Sequence, residues 1–285
     1  MPDSSKPPPK KFDLINRGER KPTLLGTLTF VGLRIMDLPL QHALLLPAGL
    51  GPALLSKLGI TLSSTATTPA GPLSTGISYL DVLGHPTSAI LMLFALGSSV
   101  KQIYWQLFVS KESFPAPAAA AVAFYNSLFN ALNSLLFLAL FTSSVRSQPQ
   151  LGVPAALSVT GSAYNLPLST VVGVCVYVFG IILEAVSERQ RRDFKDAPEN
   201  AGKVCKVGVW RWSRHVNYFG YSLWRGGYTM VATGWIGGLA VGSWQMWDLG
   251  YRAAGVMDDY CTNRYKEQWA QFKREVPSKI VPGIW

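Results

Sequence analysis

Gly208-Val209-Trp210-Arg211-Trp212-Ser213-Arg214-His215-Val216-Asn217-Tyr218-Phe219-Gly220 places two arginines, a histidine, an asparagine, a serine and four aromatic residues together, just ahead of an apolar run. Hydrogen-bonding and cationic capacity of that density is costly at a bilayer boundary unless a polar ligand satisfies it. Guanidinium groups take phosphate or carboxylate through paired donors, and aromatic faces take a flat ring. The stretch therefore points to a nucleotide-like cofactor. The competing reading is an interfacial anchor, with Trp and Tyr at headgroup level and Arg on the cytosolic side.

The rest of the chain supplies the membrane. Of its 285 residues 48% are hydrophobic and only 15% charged, against roughly 25% charged in an ordinary soluble domain. Mean hydropathy is positive. The apolar residues fall in long blocks, as membrane helices require. A formal charge of +10 would suit nucleic acid, but the basic residues flank apolar blocks, so the positive-inside bias accounts for them and no nucleic-acid partner is expected. Residues 1–22 are polar and Pro-rich with no apolar segment close behind. They read as a disordered cytosolic arm and not as a cleaved signal. Cys175, Cys205 and Cys261 form no CxxC pair, and three scattered histidines make no ligand set. Neither a disulfide framework nor a zinc site is expected.

Four main spans are expected. The block from Leu24 to Ile60 is too long for one upright helix and is interrupted by Pro39, Pro47 and Pro52, which suggests one span and a broken or interfacial piece. Spans over Tyr79–Val100, Pro117–Thr142 and Leu168–Val186 follow. The loops 61–78 and 143–167 carry between them only Arg146 and read as non-cytosolic, whereas 101–113 and 188–214 are basic and read as cytosolic. The run Tyr221–Trp247 contains Arg225 and six glycines and is too short for two full spans. A pair of short or re-entrant helices packed against protein fits it. The tail from Tyr260 to Lys273 reads as an amphipathic helix, and Lys279–Trp285 as an apolar end that docks onto the bundle. The fold class is all-α: a polytopic helix bundle, with 23–167 as N-terminal transmembrane helices on the substrate side and 168–285 as a cytosol-facing cofactor-binding region.

Several polar residues stand out against this background. Glu184 and Glu188 share one helix face. Glu184 has apolar neighbours on both sides and needs a partner or a polar cavity, whereas Glu188 has Arg192 one turn on as a structural partner. Asn126, Asn130 and Asn133 recur at helical spacing, as residues bonding one helix to another would. Asp37, Gln41 and His42 interrupt the first apolar block. Tyr104 lies at the cytosolic end of the second span, as an anchor or as a functional phenol.

Three blocks, GIILEAVSERQRRDFK (180–195), GVWRWSRHVNYFGY (208–221) and YCTNRYKEQWAQFKREVPSKIVPGIW (260–285), taken in order, resemble the C-terminal half of the steroid 5α-reductase superfamily. The nearest likeness is to the branch with a GLW-x-x-S-RHPNYFGE signature, whose ending is shared with sterol Δ14-reductases. It extends weakly to KQIYWQLFVSKESF at 101–114. The resemblance implies NADPH bound in a cytosol-facing cavity and reduction of a carbon–carbon double bond in a lipophilic, steroid-like substrate. It also implies residence in the endoplasmic reticulum membrane, among lipids. On this pattern Glu184 and Glu188 match cofactor contacts, Lys195 a basic position near the phosphates, and Tyr265 the aromatic contact of the tail. Arg214, His215, Asn217 and Tyr218 match the signature, flanked by Trp212 and Tyr221, and Tyr104 stands near the substrate-side tyrosine. The expected chemistry is hydride transfer to an activated alkene, with Tyr104 or an acid stabilising the developing enolate.

Two departures bear on this. Val216 replaces the usual Pro, and Tyr221 replaces the usual Glu, removing a carboxylate from the cofactor site. Isoprenylcysteine carboxyl methyltransferases carry a similar RHP-x-Y-x-G element, so an S-adenosylmethionine-dependent methyltransferase is an alternative. A non-catalytic membrane scaffold, suggested by Tyr221, is another. The tail favours reductase over methyltransferase.

Overall fold

A computed structural model of the chain describes residues 21, 23–63, 73–142, 149–158, 160, 161 and 163–285. Apart from Lys21, the expected N-terminal arm lies outside the described residues, as do parts of both expected non-cytosolic loops. The helices are α1 (Leu24–Leu45), α2 (Leu50–Lys57), α3 (Ser78–Asp81), α4 (Pro86–Tyr104), α5 (Ala116–Leu138), α6 (Leu168–Asp196), α7 (Val216–Thr233), α8 (Trp235–Asp248), α9 (Ala254–Tyr265) and α10 (Glu267–Glu275). Single π-helical turns continue α4 over Trp105–Val109 and join α8 to α9 over Leu249–Ala253.

Polar and charged side chains are buried within an apolar core, and large apolar side chains are exposed on the outside. Arg34, Asp37, Gln41, Asn130 and Arg225 are buried, while Leu24, Leu28, Phe124, Phe179, Ile182, Ile236 and Leu239 are exposed. Water would not tolerate this arrangement, and hydrocarbon requires it. The chain is a helical membrane protein. Among the described residues, α5 and α6 are each long and apolar enough to cross a membrane, and α1 with α2 qualifies as a broken span or re-entrant loop bent by 64°. α4, expected as a span, carries Ser98, Ser99, Lys101 and Gln102 near its end and is less apolar than α5 and α6.

The element boundaries correct the sequence reading in several places. The second long helix starts at Pro86, not Tyr79: the left-handed Gly84 separates it from α3, and Pro86 seats at its first turn with His85 Nδ1 capping the Thr87 amide at 3.1 Å. The fourth expected span does not stop at Val186 but runs ten residues further to Asp196. Pairs one turn apart, Arg189–Asp193 and Arg192–Asp196, carry it into the polar region. An antiparallel hairpin, β1 (Gln150–Val153) with β2 (Tyr164–Pro167), interrupts the expected all-helical order. The amphipathic tail helix is two helices, broken at Lys266 with φ of +48°.

Two packing devices organise the bundle. Across α1, α4 and α5, Arg34 pairs with Asp37 at 3.0 Å and donates to Ser99 at 2.8 Å, while Asn130 donates to Asp37 at 2.8 Å and Ser134 to Gln41 at 2.8 Å. Asn130 thus bonds one helix to another, as its spacing suggested. Between α6 and α7 glycines face one another. A Cβ on Gly180 would meet the Trp224 amide at 2.5 Å and one on Gly220 the Glu184 amide at 2.7 Å; Gly173 and Gly227 repeat the pattern one level along. Without side chains between them the two backbones close together. The run after Gly220 forms the paired helices anticipated for it, α7 and α8, turning at Gly234, whose φ of +83° suits glycine alone.

Candidate active site

The glycine contact between α6 and α7 sets the first part of the site. It brings Glu184 of α6 against Trp224 of α7, whose indole Nε1 donates to Glu184 Oε2 at 2.6 Å. The other oxygen, Oε1, meets Lys101 Nζ of α4 at 2.5 Å, and the same ammonium reaches Glu188 Oε2 at 2.9 Å. Glu188 pairs with Lys101 and not with Arg192, its sequence-expected partner; Arg192 pairs with Asp196. Lys101 thus bridges two carboxylates, and all three side chains are largely buried.

Trp224 connects the cluster to Arg225. The Arg225 guanidinium lies 4.4 Å from the Trp224 ring, 5.2 Å from Phe129, 5.4 Å from Tyr221 and 5.8 Å from Tyr125. Its Nε donates to the Tyr221 hydroxyl at 3.1 Å, and Nη2 donates to Asn126 Oδ1, which also accepts from Gln102 at 2.7 Å. Tyr221 and Tyr125 in turn wall a cleft of about 250 Å³ with Trp244, Gln245, Asp248, Leu249 and Arg252. Gln245 donates to the Tyr125 hydroxyl at 2.6 Å.

The signature residues occupy a second region, where α7 begins. Trp210 is buried and donates to the Ser187 carbonyl at 2.8 Å, which docks the 208–211 turn on α6. The tail then threads past the signature: the Arg214 and His215 amides donate to the Ser278 and Lys279 carbonyls, and Arg214 Nη1 donates to the Val276 and Pro277 carbonyls at 2.7 Å each. Arg214 also lines a cleft of about 300 Å³ with Ala254, Gly255, Asp258, Asp259, Lys273 and Lys279. Trp269 Nε1 holds Asp258 at 2.7 Å, and Lys273 lies 3.4 Å from the same carboxylate. His215 is buried and stacked on Tyr218. Burial first, then the charges of Arg214, Lys279 and Arg191, push its pKa down to about 3, so its ring is neutral at pH 7.

The remaining expected residues fall around these two regions. Lys195 donates to the Tyr265 hydroxyl at 2.8 Å and lies over its ring at 4.6 Å, tying α6 to α9. Trp212 is 49% exposed, and the half-buried Asn217 has no side-chain hydrogen bond among the described residues. Tyr104 is exposed and accepts from Arg189 at 3.0 Å, outside both clefts. Glu184 does not line the cleft that holds Arg214. Sequence reasoning passed over Lys101, Trp224, Gln245, Asp258 and Lys279. A lysine three residues before the end of an apolar helix was the available signal for Lys101, and it was read only as a topological charge.

Comparison with known proteins matches residues 123–276 to the profile of the DUF1295 family, described as proteins of unknown function. Over 257 residues the chain is 30% identical to a protein named probable O-methyltransferase ustE from Ustilaginoidea virens, covering 90% of this chain and 84% of that protein. The solved eukaryotic intramembrane Ras methyltransferase ICMT (isoprenylcysteine carboxyl methyltransferase) aligns over 90% of this chain and 95% of its own, at 14% identity and a TM-score of 0.35. That superposition is too loose to bear on fold or activity.

Proposed function

The chain belongs to the DUF1295 family, a steroid 5α-reductase-like group, and from that premise we propose that it transfers a methyl group from S-adenosylmethionine to an oxygen atom of a lipophilic acceptor in the membrane. The observation that carries the reading is the 30% identity, over most of both chains, to a protein named as a probable O-methyltransferase. It favours the methyltransferase alternative over NADPH-dependent reduction. Family membership keeps reduction as the second reading.

The residues present fit the methyl donor. S-adenosylmethionine carries an ammonium and a carboxylate side by side with a sulfonium. The cleft at Arg214 offers both signs: Asp258 and Asp259 for the ammonium, Lys273, Lys279 and the spare donors of Arg214 for the carboxylate. The several phosphates of NADPH would call for a larger surplus of cations than three against two, and Tyr221 lacks the charge of the family's Glu.

When bound, the donor supplies an electrophilic methyl carbon. The chain's own part is positioning and exclusion of water. The tail, bonded to the Arg214 and His215 amides, contributes Lys279 to the lining of the cleft at Arg214. Tyr125, Tyr221 and Trp244 offer aromatic walls to a lipophilic acceptor. Arg252 of that cleft precedes Ala254 of the other by two residues of continuous helix, so the two clefts are neighbours.

Calorimetry on the protein in detergent tests the reading: S-adenosylmethionine should bind, NADPH should not compete, and Asp258→Asn should weaken the binding by about tenfold through loss of one charge-assisted contact. NADPH binding with none for S-adenosylmethionine would return the assignment to reductase.

A further inference from the structure

Arg225 is a buried cation without a counter-ion. It is 1% exposed, and among the described residues no carboxylate forms an ion pair with it; the nearby acids Glu184 and Glu188 are committed to Lys101. Its partners are neutral: the Asn126 amide oxygen, the Tyr221 hydroxyl and four aromatic rings. Its Nη1 has no hydrogen-bond partner. The nearest comparison within the chain is Arg34, equally buried, which has Asp37 at 3.0 Å. A charge held this way in a membrane protein is expensive, and such residues mark ligand sites. Two of the rings around it, Tyr125 and Tyr221, also wall the 250 Å³ cleft. The guanidinium does not itself line the cleft, but lies 5.4 Å and 5.8 Å from the Tyr221 and Tyr125 rings that do.

We infer that Arg225 is the receptor for an oxyanion on the molecule that enters this cleft, so that the acceptor is an amphiphile presenting a carboxylate or phenolate oxygen to Arg225 and an apolar body to Tyr125, Tyr221 and Trp244. The substrate class rests on the methyltransferase reading; the anion site itself does not. In the transfer the acceptor oxyanion forms a bond to the methyl carbon, the carbon–sulfur bond breaks with its electron pair left on sulfur, and the sulfonium becomes a neutral thioether. An acceptor already ionised has no proton to lose, which accounts for a site built on a cation in place of a free carboxylate base. Holding the oxyanion also stabilises it in a region where water cannot.

The test uses the full chain in detergent, with 2-naphthoate as the probe and quenching of intrinsic tryptophan fluorescence as the readout. Wild type should bind 2-naphthoate at least about tenfold more tightly than its uncharged methyl ester, the scale of a charge-assisted pair. 2-Naphtholate above the pKa of naphthol distinguishes a phenolate site from one restricted to carboxylates. Arg225→Gln should remove the preference for the anion, and Arg225→Lys should keep part of it. Equal affinity of wild type for acid and ester overturns the proposal without recourse to any variant. So does displacement of 2-naphthoate by S-adenosylmethionine but not by its decarboxylated form, which would assign Arg225 to the donor's carboxylate. Anion binding that persists in a protein with no affinity for S-adenosylmethionine would sink the methyltransferase reading and leave the anion site standing.

Discussion

Lys101 and Glu184 meet at 2.5 Å across the α4–α6 boundary, and the same ammonium also holds Glu188. Removing Lys101 leaves two buried carboxylates facing each other without a cation, a situation that costs about 3–5 kcal/mol in buried pairs. Lys101→Met is expected to lower thermal stability in detergent sharply. Glu188→Gln, which leaves the Lys101–Glu184 pair in place, is expected to cost far less. Equal losses in the two variants would show that the three side chains do not act as one cluster.

The α6–α7 seam depends on the absence of side chains. A Cβ at Gly180 would sit 2.5 Å from the Trp224 amide and 2.7 Å from the Gly220 carbonyl. Gly180→Val should therefore push the helices apart, cost about 1–3 kcal/mol or more by overpacking, and weaken the Trp224–Glu184 bond. Gly32→Ala and Gly255→Ala, where an added Cβ meets nothing within 4 Å, should be tolerated. Thermal melting of the three variants, with near-ultraviolet circular dichroism to follow the Trp224 environment, separates the cases.

His215 gives the stability a pH dependence of defined sign. Its folded pKa of about 3 lies below the ordinary 6.5, so between these values the unfolded chain binds a proton that the folded one refuses. Stability is expected to fall as pH drops through about 6.5, by up to about 1.4 kcal/mol per unit, and this contribution levels off near pH 3. His215→Gln should flatten the difference curve over that window. Parallel slopes for wild type and variant would mean that His215 protonates freely when folded.

The sidedness of the bundle is open to labelling. Ser74 is exposed and lies in a stretch without Lys or Arg, whereas Glu267 is exposed in the basic tail. In a Cys175→Ser background, which removes the exposed native thiol, Ser74→Cys and Glu267→Cys should react with a membrane-impermeant maleimide from opposite faces of sealed vesicles. Reaction of both from one face would invert the assignment of the loop between α2 and α3.

Tyr221 and Arg225 are separable by a hydroxyl. Tyr221→Phe removes the oxygen that accepts from Arg225 Nε at 3.1 Å but keeps the ring. A neutral bond to a charged donor is worth about 1.5–3 kcal/mol, so the variant should be measurably less stable when empty. Part of that loss should be recovered on adding 2-naphthoate. Wild-type stability in Tyr221→Phe would place that bond outside the folded protein's requirements.

The helices were legible from the sequence because apolar length and the proline and glycine breaks act locally: α5 and α6 follow from their blocks, and the α7–α8 pair from a run too short for two spans. The need of Glu184 for a partner was legible too, since a carboxylate among apolar neighbours carries its desolvation cost wherever it packs. Which group answers that need was not. Periodicity defines the face of a helix but not the neighbour that face meets, and the neighbour is selected by which backbones can approach most closely. Gly180 against Gly220 brings Trp224 to Glu184, and α4 then delivers Lys101 to both carboxylates. The same closure decided that Arg214 bonds to the tail's carbonyls, and that Arg225 rests among aromatic rings with no acid beside it. Counter-ions are shared across helices distant in sequence, so charge balance in a membrane bundle is a property of the assembled fold.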